Sequence, residues 1–312
     1  MRIGLLLIDG FALMSYSSVV EPLRAANLLS DKNLYNICHL SSEGKEAVSS
    51  SGAVIKTESI LINNNNFDLV IVIAGGDPFK FEDRKTSNWL RSISRGGCLL
   101  GGVSGGPVIL AQSGLMEKRR MTLHWEHLET FIEIWPEIIL EKSLYVIDRD
   151  RLTCAGGIAP LDLMHAIITE QHGEKFARTV SDWFMHTEVR PSGGPQRAGI
   201  VERYGISNLS IVLAIEVMEN HLSDTLNLNQ LASRIGLGSR QLNRLFRKYL
   251  NQSTMTFYKE LRLNLAKQLL GQSSLSITEI AFSSGFTSSA HFSQAFNLQF
   301  SISPTNFRNL KK

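Results

Sequence analysis

Hydrophobic positions along the chain change their rhythm once. Up to about residue 186, short continuous apolar runs alternate with helical patterns. Beyond residue 208 the apolar positions recur only at helical spacing. The continuous apolar run over 3–8 predicts a parallel strand covered on both faces, and 35–40, 68–74 and 98–103 predict further strands. Residues 145–147 and 152–155 predict a hairpin around Asp148-Arg149-Asp150. Helices are expected from Glu21-Pro22 to Leu29 and over 88–95, 108–112, 160–171 and 175–184, with Gly114 as a C-cap. The polar stretch 49–66 is expected to be loop-rich. Strands alternating with helices give a doubly wound, mostly parallel α/β sheet, a flavodoxin-like sandwich.

Residues 187–208 break the pattern. The run Arg190-Pro191-Ser192-Gly193-Gly194-Pro195-Gln196-Arg197 lacks apolar periodicity and predicts a linker between a first domain, 1–186, and a second, 209–312. The second opens with an amphipathic helix through Ile211, Ala214, Ile215, Met218 and Leu222.

Two helix-turn-helix signals then follow in tandem. Each begins with a capping box, Asn227 with Gln230 and Ser276 with Glu279. Both boxes are followed by a small Ala, Ala232 or Ala281, and a turn Gly, Gly236 or Gly285, at a constant offset of 49 residues. After the turn comes an apolar stripe, Leu242, Leu245, Phe246 and Tyr249, then Phe292, Ala295, Phe296 and Phe300. Here the offset is 50, so the second turn carries one extra residue. Burying the stripe leaves Arg240, Asn243, Arg244 and Arg247 on the free face of the first unit. In the second it leaves Ser289, Ser293, Gln294 and Asn297. Arg suits guanine edges and phosphates, and Asn suits adenine. No Lys or Arg lies between Gly285 and Phe307. The first unit is therefore expected to supply the charge-driven affinity, with the second making polar contacts. A helix over 256–270, buried along Phe257, Leu261, Leu265 and Leu269, would hold the two reading helices about 34 Å apart, one turn of duplex.

Charge agrees with this division. The 312 residues carry a net +3, but 207–312 hold 11 Lys/Arg against 5 Asp/Glu. The rest is net acidic, so the basic third is expected to meet a polyanion. Three scattered cysteines, Cys38, Cys98 and Cys154, argue against a disulfide framework and fit a reducing cytoplasm. No apolar run reaches 18 residues, so no membrane span is expected.

The paired units resemble the AraC family of bacterial transcription regulators. The resemblance is carried by Leu231-Ala232, Gly236-Leu237, the run from Arg240 to Phe246, Ile280-Ala281 and Gly285-Phe286. It continues through His291 to Phe296 and Ser303 to Arg308. It implies promoter DNA and RNA polymerase as partners. It also places base-reading positions on Arg240, Asn243, Arg244, Ser289, Ser293 and Gln294.

The strand ending at Val103 runs into Gly102-Val103-Ser104-Gly105-Gly106, a G-x-S-x-G elbow before a helix. Taken alone it suggests a serine hydrolase or amidase with His124 as base and Glu21 as orienting acid. Chain order supplies no suitable acid between Ser104 and His124 except Glu117. The first domain also resembles the PfpI-type, class I glutamine amidotransferase-like domains found fused to AraC-type DNA-binding domains. The matching residues are Glu21-Pro22, Ala74-Gly75-Gly76, the elbow, Thr122-Leu123-His124-Trp125, Thr153 to Gly157 and Asp162-Leu163. Catalytic relatives carry cysteine where this chain has Ser104, and a serine hydroxyl is a poor nucleophile without a well-placed base. The resemblance thus implies a non-catalytic binding pocket, for which no cofactor is expected, and the i, i+3 spacing of His124 and His127 with no third ligand does not predict a metal. Its pocket would be built from Glu21, Gly76, Ser104, Gly105, His124 and Trp125. Backbone N–H groups suit a carboxylate and Trp125 beside Glu21 suits a cation, so a zwitterion such as an amino acid or quaternary amine is the expected effector. A homodimeric, ligand-responsive activator acting through the 187–208 linker is the resulting expectation.

Overall fold

The computed structural model describes residues 1–61, 66–273 and 275–311. It forms two compact units, Met1–Gln196 and Arg197–Lys312. The first runs β1 (Arg2–Leu7), α1 (Leu13–Leu29), β2 (Asn36–Ser41), β3 (Lys45–Val48), β4 (Val54–Ser59), β5 (Leu69–Ala74), α2 (Arg84–Arg95), β6 (Leu99–Ser104) and α3 (Gly106–Gln112). It continues through β7 (Arg120–Met121), α4 (Leu128–Ile134), β8 (Ile139–Leu140), β9 (Tyr145–Asp148), β10 (Arg151–Cys154), α5 (Ala159–His172) and α6 (Glu174–Trp183).

Eight strands form one sheet in the order β3-β4-β2-β1-β5-β6-β10-β9. Its interior is parallel, and only the edge pairs β3–β4 and β9–β10 are antiparallel. Strand β5 shows why its sequence is continuously apolar. Leu69, Ile71 and Ile73 enter the core under α1, α5 and α6, while Val70, Val72 and Ala74 enter the core under α2, α3 and α4. The flavodoxin-like sandwich expected from the alternating pattern is the fold observed.

Three local expectations change. The stretch 49–66 is not simply loop: β3 and β4 form an edge hairpin with register Lys45↔Thr57 to Val48↔Val54. Its strands bury little beyond Ala47 and Ser59, so they carry almost no apolar signal. Residues 62–65 of that stretch lie outside the described residues. Helix α1 starts at Leu13 rather than at Glu21, with Pro22 inside it and Ser15 and Ser18 buried. The supposed linker 187–208 is largely packed structure. The fully buried Asp162 carboxylate accepts from the Arg190 backbone N–H and from its guanidinium at 2.6 and 3.0 Å. The Gln196 amide donates to Ser143 O, Leu123 O and Thr122 Oγ1. Residues 187–196 thereby belong to the first unit.

The second unit is all helix: α7 (Ile200–Tyr204), α8 (Leu209–Glu219), α9 (Leu228–Arg234), α10 (Ser239–Leu250), α11 (Thr254–Gln272), α12 (Ile277–Ser283), α13 (Ser289–Phe300) and α14 (Pro304–Lys311). Ile200 and Ile206, expected in the linker, are buried in the core beneath α8 to α10. A second core lies beneath α12 to α14. Helix α11 serves both, Phe257 and Tyr258 in one and Leu263 to Leu270 in the other, so it buries more than the single row expected. Among the described residues, no helix is long and apolar enough to cross a membrane and no group of three His, Cys, Asp or Glu could hold a metal ion.

Candidate functional site

The second unit repeats one construction twice. In α9, Asn227 Oδ1 accepts from the N–H groups of Asn229 and Gln230, and Gln230 Oε1 accepts from the Asn227 N–H at 2.9 Å. In α12, Ser276 Oγ accepts from the Glu279 N–H, and Glu279 returns a bond to the Ser276 N–H at 2.6 Å. These boxes satisfy backbone donors that a helix start leaves unpaired. Each first helix spans seven residues and each second helix twelve. The turns hold Gly236 at φ +70° and Gly285 at φ +77°, a left-handed conformation that favours glycine. Both second helices end on a left-handed residue, Asn251 and Ser301, again 50 apart.

Burial sorts the faces of α10 and α13 in the same way. Leu242 and Phe246 are buried in α10, and Phe292, Ala295 and Phe296 in α13. Opposite them, exposed, stand Arg240, Arg244 and Arg247 in the first helix and Ala290, Gln294 and Asn297 in the second. These triplets occupy equivalent positions at an offset of 50. Among the described residues, no carboxylate forms an ion pair with any of the three arginines. Ser289 and Ser293 are half-buried on the flank. Asn243 departs from its expected place on the reading face. It is half-buried, and its Oδ1 accepts from the Thr254 N–H at 3.0 Å, at the start of α11. Its amide oxygen is spent on joining α10 to α11.

Residues that sequence reasoning passed over hold the two repeats together. Arg262, midway along α11, donates from Nε to Ser284 O at 2.9 Å and from Nη2 to Gly285 O at 2.6 Å. Its guanidinium also lies 4.3 Å from the Phe286 ring centroid. The turn of the second repeat is thus fastened to the connecting helix. From the other side, a Cβ added to Gly285 would stand 2.4 Å from Thr225 and 2.5 Å from Leu222 O, in the segment leading into α9. Tyr258, from the same helix, donates to His221 O and accepts from the Leu226 N–H.

In the first unit, the ends of β1, β5, β6 and β10 gather the elbow. Ser104 closes β6 at φ +60°, a strained conformation for a residue with a side chain, and is nearly buried. Gly156, after β10, lies against it so closely that a Cβ there would stand 2.7 Å from Ser104 Cβ. Ser15 of α1, fully buried, accepts from the Gly157 N–H at 2.9 Å. Ser15 therefore stands at the elbow where Glu21 was expected. Glu21 lies about 9 Å further along the helix and pairs with Arg24 at 2.7 Å. The Gly105 N–H, expected as a free donor, donates to Ala74 O. Gly76, at φ +60°, leads into Asp77, whose carboxylate caps the 3-10 turn Pro78–Lys80 and is pushed up by burial.

That turn connects the elbow to an aromatic group. Pro78 faces Gly105, and Phe79 meets the His127 ring at 5.7 Å and stacks on Trp135 at 6.4 Å. His124 lies 5.3 Å from Trp125 and 5.9 Å from His127. Burial pushes the His124 imidazolium down, so the ring favours its neutral form, and its Nδ1 accepts from the Glu126 N–H. Among the described residues, no hydrogen bond joins His124 to Ser104. Cys98 and Cys154 are buried thiols pushed up to about 11 and about 12.

Comparison with known proteins gives this geometry a setting. Residues 1–170 match the DJ-1/PfpI family and residues 231–310 match a helix-turn-helix domain. The HTH-type transcriptional regulator GlxA of Rhizobium meliloti is 42% identical over 98% of this chain and 95% of its own length. The HTH-type transcriptional regulator CdhR of Pseudomonas aeruginosa is 39% identical over 97% of this chain and 90% of its own. The crystal structure of an AraC family transcriptional regulator from Pseudomonas putida shares the fold over 59% of this chain and 98% of that one, with 22% identity and a TM-score of 0.53.

Proposed function

This chain belongs to the DJ-1/PfpI family through its first unit and to the AraC-type regulators through its second, and from that premise we propose a ligand-responsive, sequence-specific regulator of promoters. The coarse assignment, a DNA-binding transcription regulator rather than an enzyme, follows from relatives so named that align over nearly the whole chain. The observation that carries the DNA reading is the outward stripe of Arg240, Arg244 and Arg247 on a helix whose other side is buried. Exposed guanidinium groups that form no ion pair among the described residues are suited to phosphates and guanine edges. Ser289, Ser293 and Gln294 would complete the interface from α13. Titrating the full chain with a selected operator at several salt concentrations tests this. Each phosphate-bound arginine removed should lower the salt slope by about one. A slope unchanged in the triple alanine variant would overturn the assignment.

For the first unit we propose a small zwitterionic effector held between the elbow, at Gly76 and Ser104, and the rings of His124 and Trp125; Gly105, whose N–H donates to Ala74 O, shapes the turn. Aromatic faces favour a cation such as a quaternary amine. Glu21 is left out, because its carboxylate is directed to Arg24. Calorimetric titration of the full chain with arginine, glycine betaine and carnitine is the test. Absence of heat from all three would count against this effector class. An effector can act on DNA binding only through unequal affinity for two states of the protein. Pairing of two copies on one promoter, with contact to RNA polymerase and activation as the output, completes the proposal. Cross-linking of the full chain on operator DNA and transcription with purified polymerase are the corresponding measurements.

A further inference from the structure

We propose that the two repeats read different base chemistry: α10 takes guanines, and α13 takes an A·T step about one duplex turn away, with Ala290 against a thymine methyl and Gln294 on the adjoining adenine. This rests on the DNA-binding reading above and extends it to the identity of the bases.

The inference starts from the offset of 50. Arg240 and Ala290 are each the second residue of their helix, and Arg244 and Gln294 lie one turn further on. All four are exposed on the side opposite the buried stripe. In helix-turn-helix proteins the N-terminal part of the second helix meets base edges in the major groove. The same groove-facing positions are therefore filled by two arginines in one repeat and by a methyl group and an amide in the other. An arginine presents paired donors that match guanine O6 and N7. A glutamine amide offers one donor and one acceptor, which match adenine N7 and N6. Ala290 and Gln294 are at i and i+4, with Cβ atoms about 5–6 Å apart, close enough to address neighbouring base pairs. The Ala290 methyl is apolar, and thymine is the base that offers a methyl group in that groove.

Charge separates the repeats further. The second has no Lys or Arg from Gly285 to Phe307. Helix α13 can draw less on counterion release than α10, so base-edge contacts carry a larger share of its affinity. The stretch is nevertheless built to hold its helix in place, since Arg262 fastens the turn that precedes α13.

The experiment selects operators from a random duplex library with the full-length protein and then modifies single atoms. Guanine N7 is removed at the first subsite with 7-deazaguanine, adenine N7 at the second with 7-deazaadenine, and the thymine methyl by replacing thymine with uracil. The 7-deazaadenine operator should bind wild-type protein about tenfold more weakly, and Gln294→Ala should remove that difference. The uracil operator should bind a few-fold more weakly, and Ala290→Gly should remove that difference. Comparing each variant across the two DNAs cancels any effect of the substitution on folding. Selected operators with G·C pairs or no preference at the second subsite would overturn the inference. So would methyl or N7 effects that persist in the Ala290→Gly and Gln294→Ala proteins. Failure to select any operator would instead sink the DNA-binding reading on which this one rests.

Discussion

The repeats at α9–α10 and α12–α13 share backbone, capping boxes on their first helices and a buried stripe, yet present opposite chemistry outward. Seven- and twelve-residue helices, a left-handed turn glycine and a left-handed C-cap recur at matching places. Facing out are three arginines in one and Ala290, Gln294 and Asn297 in the other. The positions that specify the fold point inward or lie in the turns, and they repeat because the same packing problem is solved twice. The outward positions do not help to define the fold, so they are free to differ. Resemblance between the repeats is therefore a statement about folding, and their difference is a statement about the partner.

The turn glycines provide the strongest way to break this equivalence. Both adopt a left-handed conformation, so Ala at either carries a backbone cost of about 1–2 kcal/mol. A Cβ at Gly236 meets open space, whereas one at Gly285 would collide with Thr225 and with the Leu222 carbonyl. Gly285→Ala should therefore destabilise the second unit by about 3–5 kcal/mol, and Gly236→Ala by only the backbone part. Urea unfolding of the full chain, followed by helix signal, measures both. Equal losses would show that the asymmetry between the turns is not felt.

Arg262→Ala should come next, at about 2–4 kcal/mol, because it removes two charge-assisted hydrogen bonds and the packing on Phe286. Its distinctive consequence concerns spacing. With the turn unfastened, operator affinity should fall and depend less on whether the two subsites stand 9, 10 or 11 base pairs apart. Retention of a sharp optimum at 10 would show that Arg262 supports the fold without setting the angle of α13. Arg244→Ala follows, weakening operator binding by about 1–3 kcal/mol and lowering the salt slope. Gln294→Ala should cost no more than this and leave the slope unchanged, so the pair separates charge from base reading.

How much of this was legible in the sequence depended on the range of the interaction. The capping boxes, turn glycines and apolar stripes were visible because each is written within about a dozen residues. Strand β5 was visible because burial on both faces leaves an unbroken apolar run. The β3–β4 hairpin was not, since an edge that buries only Ala47 and Ser59 looks like loop. Ser15 was passed over because a buried serine in a helix has no sequence signature; its role appears only when Gly157, 142 residues later, donates to it. Asn243 looked like a base reader until Thr254 claimed its amide oxygen. The packed course of 187–196 was hidden for the same reason, as Asp162 and Gln196 find their partners far along the chain. Glycine and proline content alone cannot separate a tethered segment from a free one.

The smallest expected effect is also the most selective, because it lies in a capping box that can titrate in one repeat and not in the other. Gln230 closes the first box and Glu279 the second. The bond from the Ser276 backbone and the hydroxyl beside it hold the Glu279 carboxyl below its ordinary value. A carboxyl whose folded pKa is depressed adds stability that is complete above the unfolded value of about 4.5 and is lost as pH falls through the lower, folded value. The second box should therefore weaken in acid while the first does not. Glu279→Gln gives both boxes an amide at this position, so neither can titrate. Its stability relative to wild type should rise as pH is lowered through that window, and the difference should be flat above pH 6. The whole chain has many carboxylates, but subtracting the variant's pH profile from the wild type's isolates this one. A difference that stays constant from pH 3 to pH 7 would mean that the Glu279 carboxylate does not bind the Ser276 N–H in solution. The second repeat would then be capped by the Ser276 hydroxyl alone.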